Sequence, residues 1–215
     1  MACGAGGAPP PSALSPRAPE VIRVIDGPVS MYLVRGPDDA VVAVDCGMDP
    51  EGTSVREALS ASGLAPTAVR AVLITHLHGD HVGGCGLFAD APRYGMAGLD
   101  ELPVIPIRDG APFAAAGLTI TPYAVPGHSA DSVAYRIGEA VFLGDAATLD
   151  ADHRVVASRM RFEGATPVPD ESGANEAALV RLATQLAAAG GPIAHLYFGH
   201  ADPTADVEQL LARRR

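Results

Sequence analysis

The pattern of apolar and polar positions divides the chain, from residue 21 onward, into short strands and a few helices. Apolar, β-branched runs bounded by glycine, proline and aspartate predict strands in two groups. The first group covers Val21–Asp26, Met31–Arg35, Ala40–Asp45 and Ala71–Ile74. The second group covers Val104–Ile107, Leu118–Val125, Ser132–Ile137, Ala140–Leu143 and Ile193–Phe198. Turn residues between the first three strands indicate an antiparallel meander.

Apolar residues at helical spacing predict three helices, over Pro50–Gly63, Glu176–Ala189 and Thr204–Ala212. Two groups of strands, each followed by helices, predict two packed sheets with helices on the outside. We expect residues 21–215 to form a single domain. Residues 1–20, rich in alanine, glycine and proline, are expected to form a flexible tail.

Composition and charge exclude several classes of protein. The chain is 48% hydrophobic and 19% charged, which is too apolar for a disordered protein. No apolar run approaches the roughly 18 residues that a membrane span needs, so we expect no membrane association. The net charge of −10 argues against a nucleic-acid partner, because such proteins carry basic surfaces.

The three cysteines, at positions 3, 46 and 85, contain no CxxC pair and are odd in number. This pattern indicates neither a disulfide framework nor a cysteine zinc site. We therefore expect Cys46 and Cys85 to be unpaired, buried apolar residues. A reducing, cytoplasmic location is the corresponding expectation.

Candidate chemistry is concentrated in the six positions 76–81, which directly follow the buried strand at 71–74. This segment holds three of the seven histidines and one aspartate. A turn there can direct His76 and His78 to one side and Asp80 and His81 to the other. Such an arrangement suits two adjacent metal sites better than a solvated polar loop.

The segment THLHGDHVGG at residues 75–84 resembles the THxHxDHxGG motif of the metallo-β-lactamase-fold hydrolases. Four further segments resemble family motifs and occur in the family's order. They are VDCG at 44–47, VPGHS at 125–129, FLGD at 142–145 and FGH at 198–200. The resemblance covers about residues 21–205. It implies a fold of the α/β (α+β) class, a four-layer αβ/βα sandwich of the metallo-β-lactamase type.

The family pattern also implies seven metal ligands. One metal would be bound by His76, His78 and His128, the second by Asp80, His81 and His200, and Asp145 would bridge the two. Imidazole and carboxylate ligands suit zinc, so we expect two zinc ions, with iron or manganese as alternatives. A metal-bound hydroxide would be the nucleophile, and Asp80 would be catalytic as well as a ligand.

Three other polar residues have different expected roles. The resemblance implies that Asp45 accepts a hydrogen bond and orients a ligand. An ordinary aspartate in the turn at a strand end is the alternative. His153 and His195 match no motif position and are expected to be structural.

Within this fold the motifs are most similar to those of glyoxalase II, the hydroxyacylglutathione hydrolases, although the chain stops soon after His200 without that group's C-terminal domain. Asp145 stands where the commonest zinc β-lactamases have cysteine. We therefore expect a small-molecule substrate, an ester, thioester or lactone. One alternative is a mononuclear iron persulfide dioxygenase, and another is a metal-binding protein without catalysis. The oligomeric state stays open.

Overall fold

A computed structural model of the protein describes residues 19–96, 98, 102–163 and 166–214. Residues 1–18 of the expected N-terminal tail lie outside this range. Glu20, also assigned to the tail, begins the first strand.

Six strands form the first sheet, in the order β1-β2-β3-β4-β5-β6. They are β1 Glu20–Asp26, β2 Val29–Arg35, β3 Val41–Val44, β4 Val69–Leu73, β5 Arg93–Gly95 and β6 Ile105–Pro106. Strands β1 to β3 are antiparallel, which confirms the predicted meander, and β3 to β6 are parallel. The short strand β5 was not predicted. The assignment of Val104–Ile107 to the second group of strands is wrong, because β6 pairs with β5 in the first sheet.

A second sheet of five strands has the order β15-β10-β9-β8-β7. Its first four strands along the chain are β7 Phe113–Ala115, β8 Leu118–Ala124, β9 Val133–Ile137 and β10 Ala140–Phe142. Two small hairpins follow, β11 Ala147–Leu149 with β12 Val155–Ala157 and β13 Met160–Glu163 with β14 Thr166–Pro169. Strand β15, His195–Tyr197, then returns to the sheet parallel to β10. Neither hairpin was predicted, and neither was β7.

The helices are α1 Thr53–Ala61, α2 Gly79–Val82, α3 Ala174–Ala189 and α4 Glu208–Leu211. The first and third confirm predicted helices with small shifts at their ends. The last predicted helix was drawn too long, because Thr204 pairs with Leu196 in a β-bridge instead of starting a helix. None of the described helices has the length and apolar character needed to cross a bilayer.

Three apolar clusters show how these elements are layered. One cluster joins the facing sides of the two sheets, with Tyr32 and Val44 on one side and Tyr135 and Phe142 on the other. A second lies between the outer face of the first sheet and α1, and a third between the outer face of the second sheet and helices α3 and α4. The order helix, sheet, sheet, helix confirms the predicted four-layer αβ/βα sandwich.

Cys46 and Cys85 form a disulfide, with their Cα atoms 5.0 Å apart. The prediction that they are unpaired is therefore wrong, although both are buried as expected. Because the two cysteines are 39 residues apart, the sequence alone did not indicate that they pair. The fold brings the two together because Cys46 N–H donates to the carbonyl of His81, just before the turn that carries Cys85. The cysteines therefore no longer support the expectation of a reducing, cytoplasmic location.

Candidate metal centre

The candidate ligands lie where strands of both sheets end, at one edge of the sandwich. Asp45 follows β3, His76 follows β4, Asp145 follows β10 and His200 follows β15. Hydrogen bonds join these strand ends, since Asp45 N–H donates to Leu73 O and Gly199 N–H to Gly144 O. The fold therefore brings together motif segments that are more than 100 residues apart.

Three histidines form the first group that could hold a metal ion, His76, His78 and His128. His78 Nδ1 lies 2.9 Å from His76 Nε2 and 3.1 Å from His128 Nε2. Zn–N bonds of 2.0–2.1 Å in a tetrahedral site separate two nitrogens by about 3.3 Å. The spacing of these ring nitrogens is close to that of a zinc site.

A second group consists of Asp80, His81 and His200. The Nε2 atom of His200 lies 3.2 Å from Asp80 Oδ2, and that of His81 lies 3.9 Å from the same oxygen. The side chains of Asp80 and His200 are about one-third exposed, at 33% and 34%, whereas His81 is fully buried. The centre is therefore open to solvent on the side of Asp80 and His200.

Asp145 lies between the two groups. Its Oδ1 is 3.2 Å from His81 Nε2, and its Oδ2 is 3.3 Å from His200 Nε2 and 3.5 Å from His128 Nε2. A third potential metal group consists of Asp145, His76 and His81. All seven residues predicted from the motifs thus converge, with Asp145 in the position expected of a shared carboxylate.

The Asp45 carboxylate orients two of these imidazoles. His81 Nδ1–H donates to Asp45 Oδ2 at 2.8 Å. The Thr75 hydroxyl donates to the same oxygen at 2.8 Å, and its oxygen lies 3.1 Å from His76 Nδ1. Because a ring held through Nδ1–H presents its Nε2 lone pair, Asp45 directs both Nε2 atoms toward the centre. Asp45 is 2% exposed and has a φ of 62°, an unusual conformation for a residue other than glycine. Its role as an orienting acceptor is therefore favoured over that of an ordinary turn residue.

Backbone carbonyls orient two further histidines. His200 Nδ1–H donates to Pro28 O at 2.9 Å, and His128 Nδ1–H donates to Met160 O at 3.2 Å. Both rings therefore also present Nε2. These two carbonyls were not identified from the sequence, because a backbone acceptor carries no residue signature.

Two observations indicate that a cation fits between these side chains. His81 Nε2 and Asp145 Oδ1 are buried and have no hydrogen-bond partner of good geometry, which is costly in the absence of another partner. A Cβ atom on Gly199 would lie 2.2 Å from Asp145 Oδ1 and 2.8 Å from His81 Cε1. Only glycine at this position leaves room for the two side chains, which explains the glycine before His200.

Neighbouring aspartates favour the protonated forms of His81 and His200, the two histidines of the second group. Burial lowers the pKa of His81, but Asp45 and Asp145 outweigh burial and hold that pKa well above its usual value. Hydrogen bonds to Asp145 and Asp80 raise the pKa of His200 to about 10. The same bond to His200 lowers the pKa of Asp80 to about 2. At neutral pH and without a bound metal, both rings are therefore doubly protonated cations and Asp80 is ionised.

The first group behaves in the opposite way. Burial lowers the pKa of His76 to about 2, and it is also the main cause of the lowered pKa of His78 and of His128. These three rings are therefore neutral at pH 7, the form in which imidazole binds a metal.

Zinc binding at pH 7 is expected to release about one proton each from His81 and His200, since a doubly protonated ring must lose its Nε2 proton before it can bind a metal. Ionisation of a coordinated water would add to this release. The affinity of the second group for zinc should rise with pH, because fewer rings are then protonated. Calorimetric titration with Zn²⁺ in buffers of different ionisation enthalpy measures this release. With His200→Ala the release should fall by about one proton, and binding without any release would contradict the assignment.

The two histidines outside the motifs lie away from these groups in the fold. His153 is exposed in the turn between β11 and β12, where its N–H donates to Asp150 O. His195 is exposed at the start of β15, at the opposite end of the strand from His200. Neither residue belongs to a potential metal group in the described part of the chain.

Comparisons with known proteins agree with this fold and its motifs. Residues 24–111 match the family model of the metallo-beta-lactamase superfamily. A hydroxyacylglutathione hydrolase from Cupriavidus taiwanensis is 39% identical over 119 residues, 46% of this chain and 43% of the relative. The lactamase-like protein nscB from Neosartorya fischeri is 33% identical over 152 residues, 64% of this chain and 44% of the relative. The chain thus matches less than half the length of either relative.

Solved structures show the same fold over most of the chain. A metallo-beta-lactamase family protein from Thermus thermophilus superposes with a TM-score of 0.68 at 21% identity, covering 91% of this chain and 77% of that one. ETHE1 from Myxococcus xanthus gives a TM-score of 0.66 at 22% identity, covering 88% and 81%. The chain therefore shares the fold of these two proteins.

Proposed function

We propose that this protein is a dinuclear zinc hydrolase of small esters, thioesters or lactones. The proposal is carried by one observation, the arrangement of two histidine-containing groups around the shared carboxylate of Asp145. In this assignment His76, His78 and His128 bind one ion, Asp80, His81 and His200 bind the other, and Asp145 contacts both. Imidazole and carboxylate are ligands that zinc accepts, and iron or manganese would be bound by the same set.

When bound, two such ions lower the pKa of a coordinated water to around 7 and polarise the substrate carbonyl. The protein's own residues keep the ligands in place for this chemistry. Asp45 and the backbone carbonyls hold the Nδ1 atoms, so the Nε2 atoms need no reorganisation when substrate arrives. In this proposal Asp80, on the open side of the centre, accepts a hydrogen bond from the attacking water and so orients it.

Two considerations support a small, weakly charged carbonyl substrate. A hydroxyacylglutathione hydrolase and a lactamase-like protein match 46% and 64% of this chain, and the name of the first refers to an acylated glutathione. The net charge of −10 provides no general attraction for a polyanion such as RNA. We therefore expect thioesters and lactones to react faster than phosphodiesters.

Metal analysis combined with a substrate panel tests the proposal. Protein loaded with excess zinc should retain two ions per chain after desalting, and it should hydrolyse at least one ester, thioester or lactone. A limit of one ion, with oxygen consumption on a persulfide substrate after iron loading, would favour the mononuclear dioxygenase instead. Two ions without turnover on the panel would favour a binding protein, and faster cleavage of a short RNA would refute the substrate class.

The substitution Asp80→Ala should lower hydrolysis at least about 100-fold, because it removes a ligand and the carboxylate that orients the water. His153→Ala and His195→Ala serve as matched controls and should keep normal turnover. Turnover and circular dichroism of the three variants are the measurements. A folded His195→Ala variant without activity would show that a functional residue lies outside the motifs.

A further inference from the structure

The side-chain amide of Asn175 is buried beside the metal centre, at the start of α3. It is 2% exposed, and Asn175 is the chain's single asparagine. Its Nδ2 group donates to two backbone carbonyls of the preceding hairpin region, Ser158 O at 2.6 Å and Met160 O at 3.0 Å. No motif includes this residue.

The contacts of Nδ2 determine which way the amide faces, whereas the buried Oδ1 atom accepts no hydrogen bond. Because both neighbours of Nδ2 are acceptors, the NH₂ group and not the oxygen must face them. The Oδ1 atom instead faces Gly127, where a Cβ atom would lie only 2.3 Å away. The Asp170 carboxylate accepts the backbone N–H of Asn175 at 2.8 Å. The turn before His128 therefore packs directly against a fixed Asn175.

The Met160 carbonyl connects this amide to the metal centre. It accepts from Asn175 Nδ2 and from His128 Nδ1, and the hydroxyl of Ser158 also donates to it at 3.1 Å. With its proton on Nδ1, His128 presents Nε2 to His78 Nδ1 at 3.1 Å. Three separate segments, the turn at 126–129, strand β13 and helix α3, thus meet at one carbonyl oxygen.

We propose that Asn175 is a positioning residue for His128, and that it acts by holding the Met160 carbonyl where it selects the ring orientation and tautomer needed to bind a metal. The inference rests on the proposed function, because it takes His128 as a ligand. An amide is suited to this task, since it donates to two carbonyls at once. Serine has one such donor, and an aspartate carboxylate would repel both carbonyls.

The substitution Asn175→Asp tests this role, because it keeps the shape of the side chain and removes both donors. We expect the dissociation constant of the zinc ion bound by His128 to rise roughly 10- to 100-fold. The affinity of the ion bound by His200 should not change. Competition with a chromophoric zinc chelator measures both constants, with no need for catalytic turnover.

A double-mutant cycle separates positioning from general destabilisation. In the His200→Ala background, Asn175→Asp should still weaken the remaining zinc ion. In the His128→Ala background it should have no further effect on zinc affinity. Equal weakening in both backgrounds would overturn the proposal and show a merely structural role.

Gln185→Glu provides a matched control on the same helix, because the Gln185 amide donates to Asp109 and the change also replaces an amide by an acid. This control should leave both zinc affinities unchanged. If Asn175→Asp does not fold, Asn175→Ala removes the donors without burying a charge and should show the same selectivity. Wild-type protein that binds no zinc would refute the metal centre and the proposed function together. Unchanged affinities in both Asn175 variants would refute the positioning role alone.

Discussion

Replacing Asp145 by asparagine should reduce hydrolysis roughly 100- to 1,000-fold, and the variant should retain fewer zinc ions than the wild type. Among the residues that the structure describes, Asp145 is the one carboxylate within reach of both groups, with Oδ1 3.2 Å from His81 Nε2 and Oδ2 3.5 Å from His128 Nε2. An amide keeps the shape but loses the negative charge, and its NH₂ group cannot bind a metal. The second ion should be affected most, because Asp145 also contacts His200 at 3.3 Å.

Turnover on a thioester and zinc content after desalting measure the effect of Asp145→Asn. Asp109→Asn makes the same chemical change at an exposed position and should alter neither quantity. If Asp145→Asn kept two zinc ions and normal turnover, the role of Asp145 as a shared metal ligand would be refuted.

Replacing Asp45 by alanine is expected to lower the free energy of unfolding by about 3–5 kcal/mol, even without metal. The carboxylate accepts from Thr75 N–H, the Thr75 hydroxyl and His81 Nδ1–H, each at 2.8 Å. Its removal leaves these buried donors unpaired, and a protonated His81 loses a charge partner. The affinity for the second zinc ion should fall as well, because His81 is no longer held with Nε2 toward the centre.

Urea unfolding of the metal-free protein isolates the stability effect of Asp45→Ala from the loss of bound metal. Asp26→Ala is the matched control, since the Asp26 carboxylate accepts the N–H groups of Met48 and Asp49 but contacts no histidine. That variant should lose about 1–3 kcal/mol and bind zinc normally. Equal zinc affinities for Asp45→Ala and wild type would show that Asp45 is only a structural residue.

The sequence predicted the main layers of the fold because the long strands and helices contain enough apolar residues to be identified. Strand β2 is an apolar-rich run buried on both faces, and helix α3 is long enough to show its helical period. The hairpins β11–β12 and β13–β14 could not be predicted in this way. Their strands have three or four residues, several of them polar or proline, and their partners are each other.

The candidate ligands were predictable because metal chemistry limits the residue types and the motifs fix their order. The groups that orient them were less visible. Asp45 belongs to a motif, but its bond to His81 depends on the packing of β3 beside β4. Asn175 belongs to no motif, and its role depends on contacts between segments distant in sequence. Its single signal was an asparagine at the start of a long helix.

The disulfide between Cys46 and Cys85 closes a covalent ring in the chain. This ring contains α1, β4 and four of the seven candidate ligands, namely His76, His78, Asp80 and His81. A closed loop of this length reduces the entropy of the unfolded chain by an amount worth about 4 kcal/mol. The other three candidates, His128, Asp145 and His200, lie outside the ring, in loops that follow strands of the second sheet. An ion bound by ligands inside and outside the ring would close a second loop through coordination bonds. Removal of the ion by a chelator would open that second loop, while the disulfide ring would stay closed.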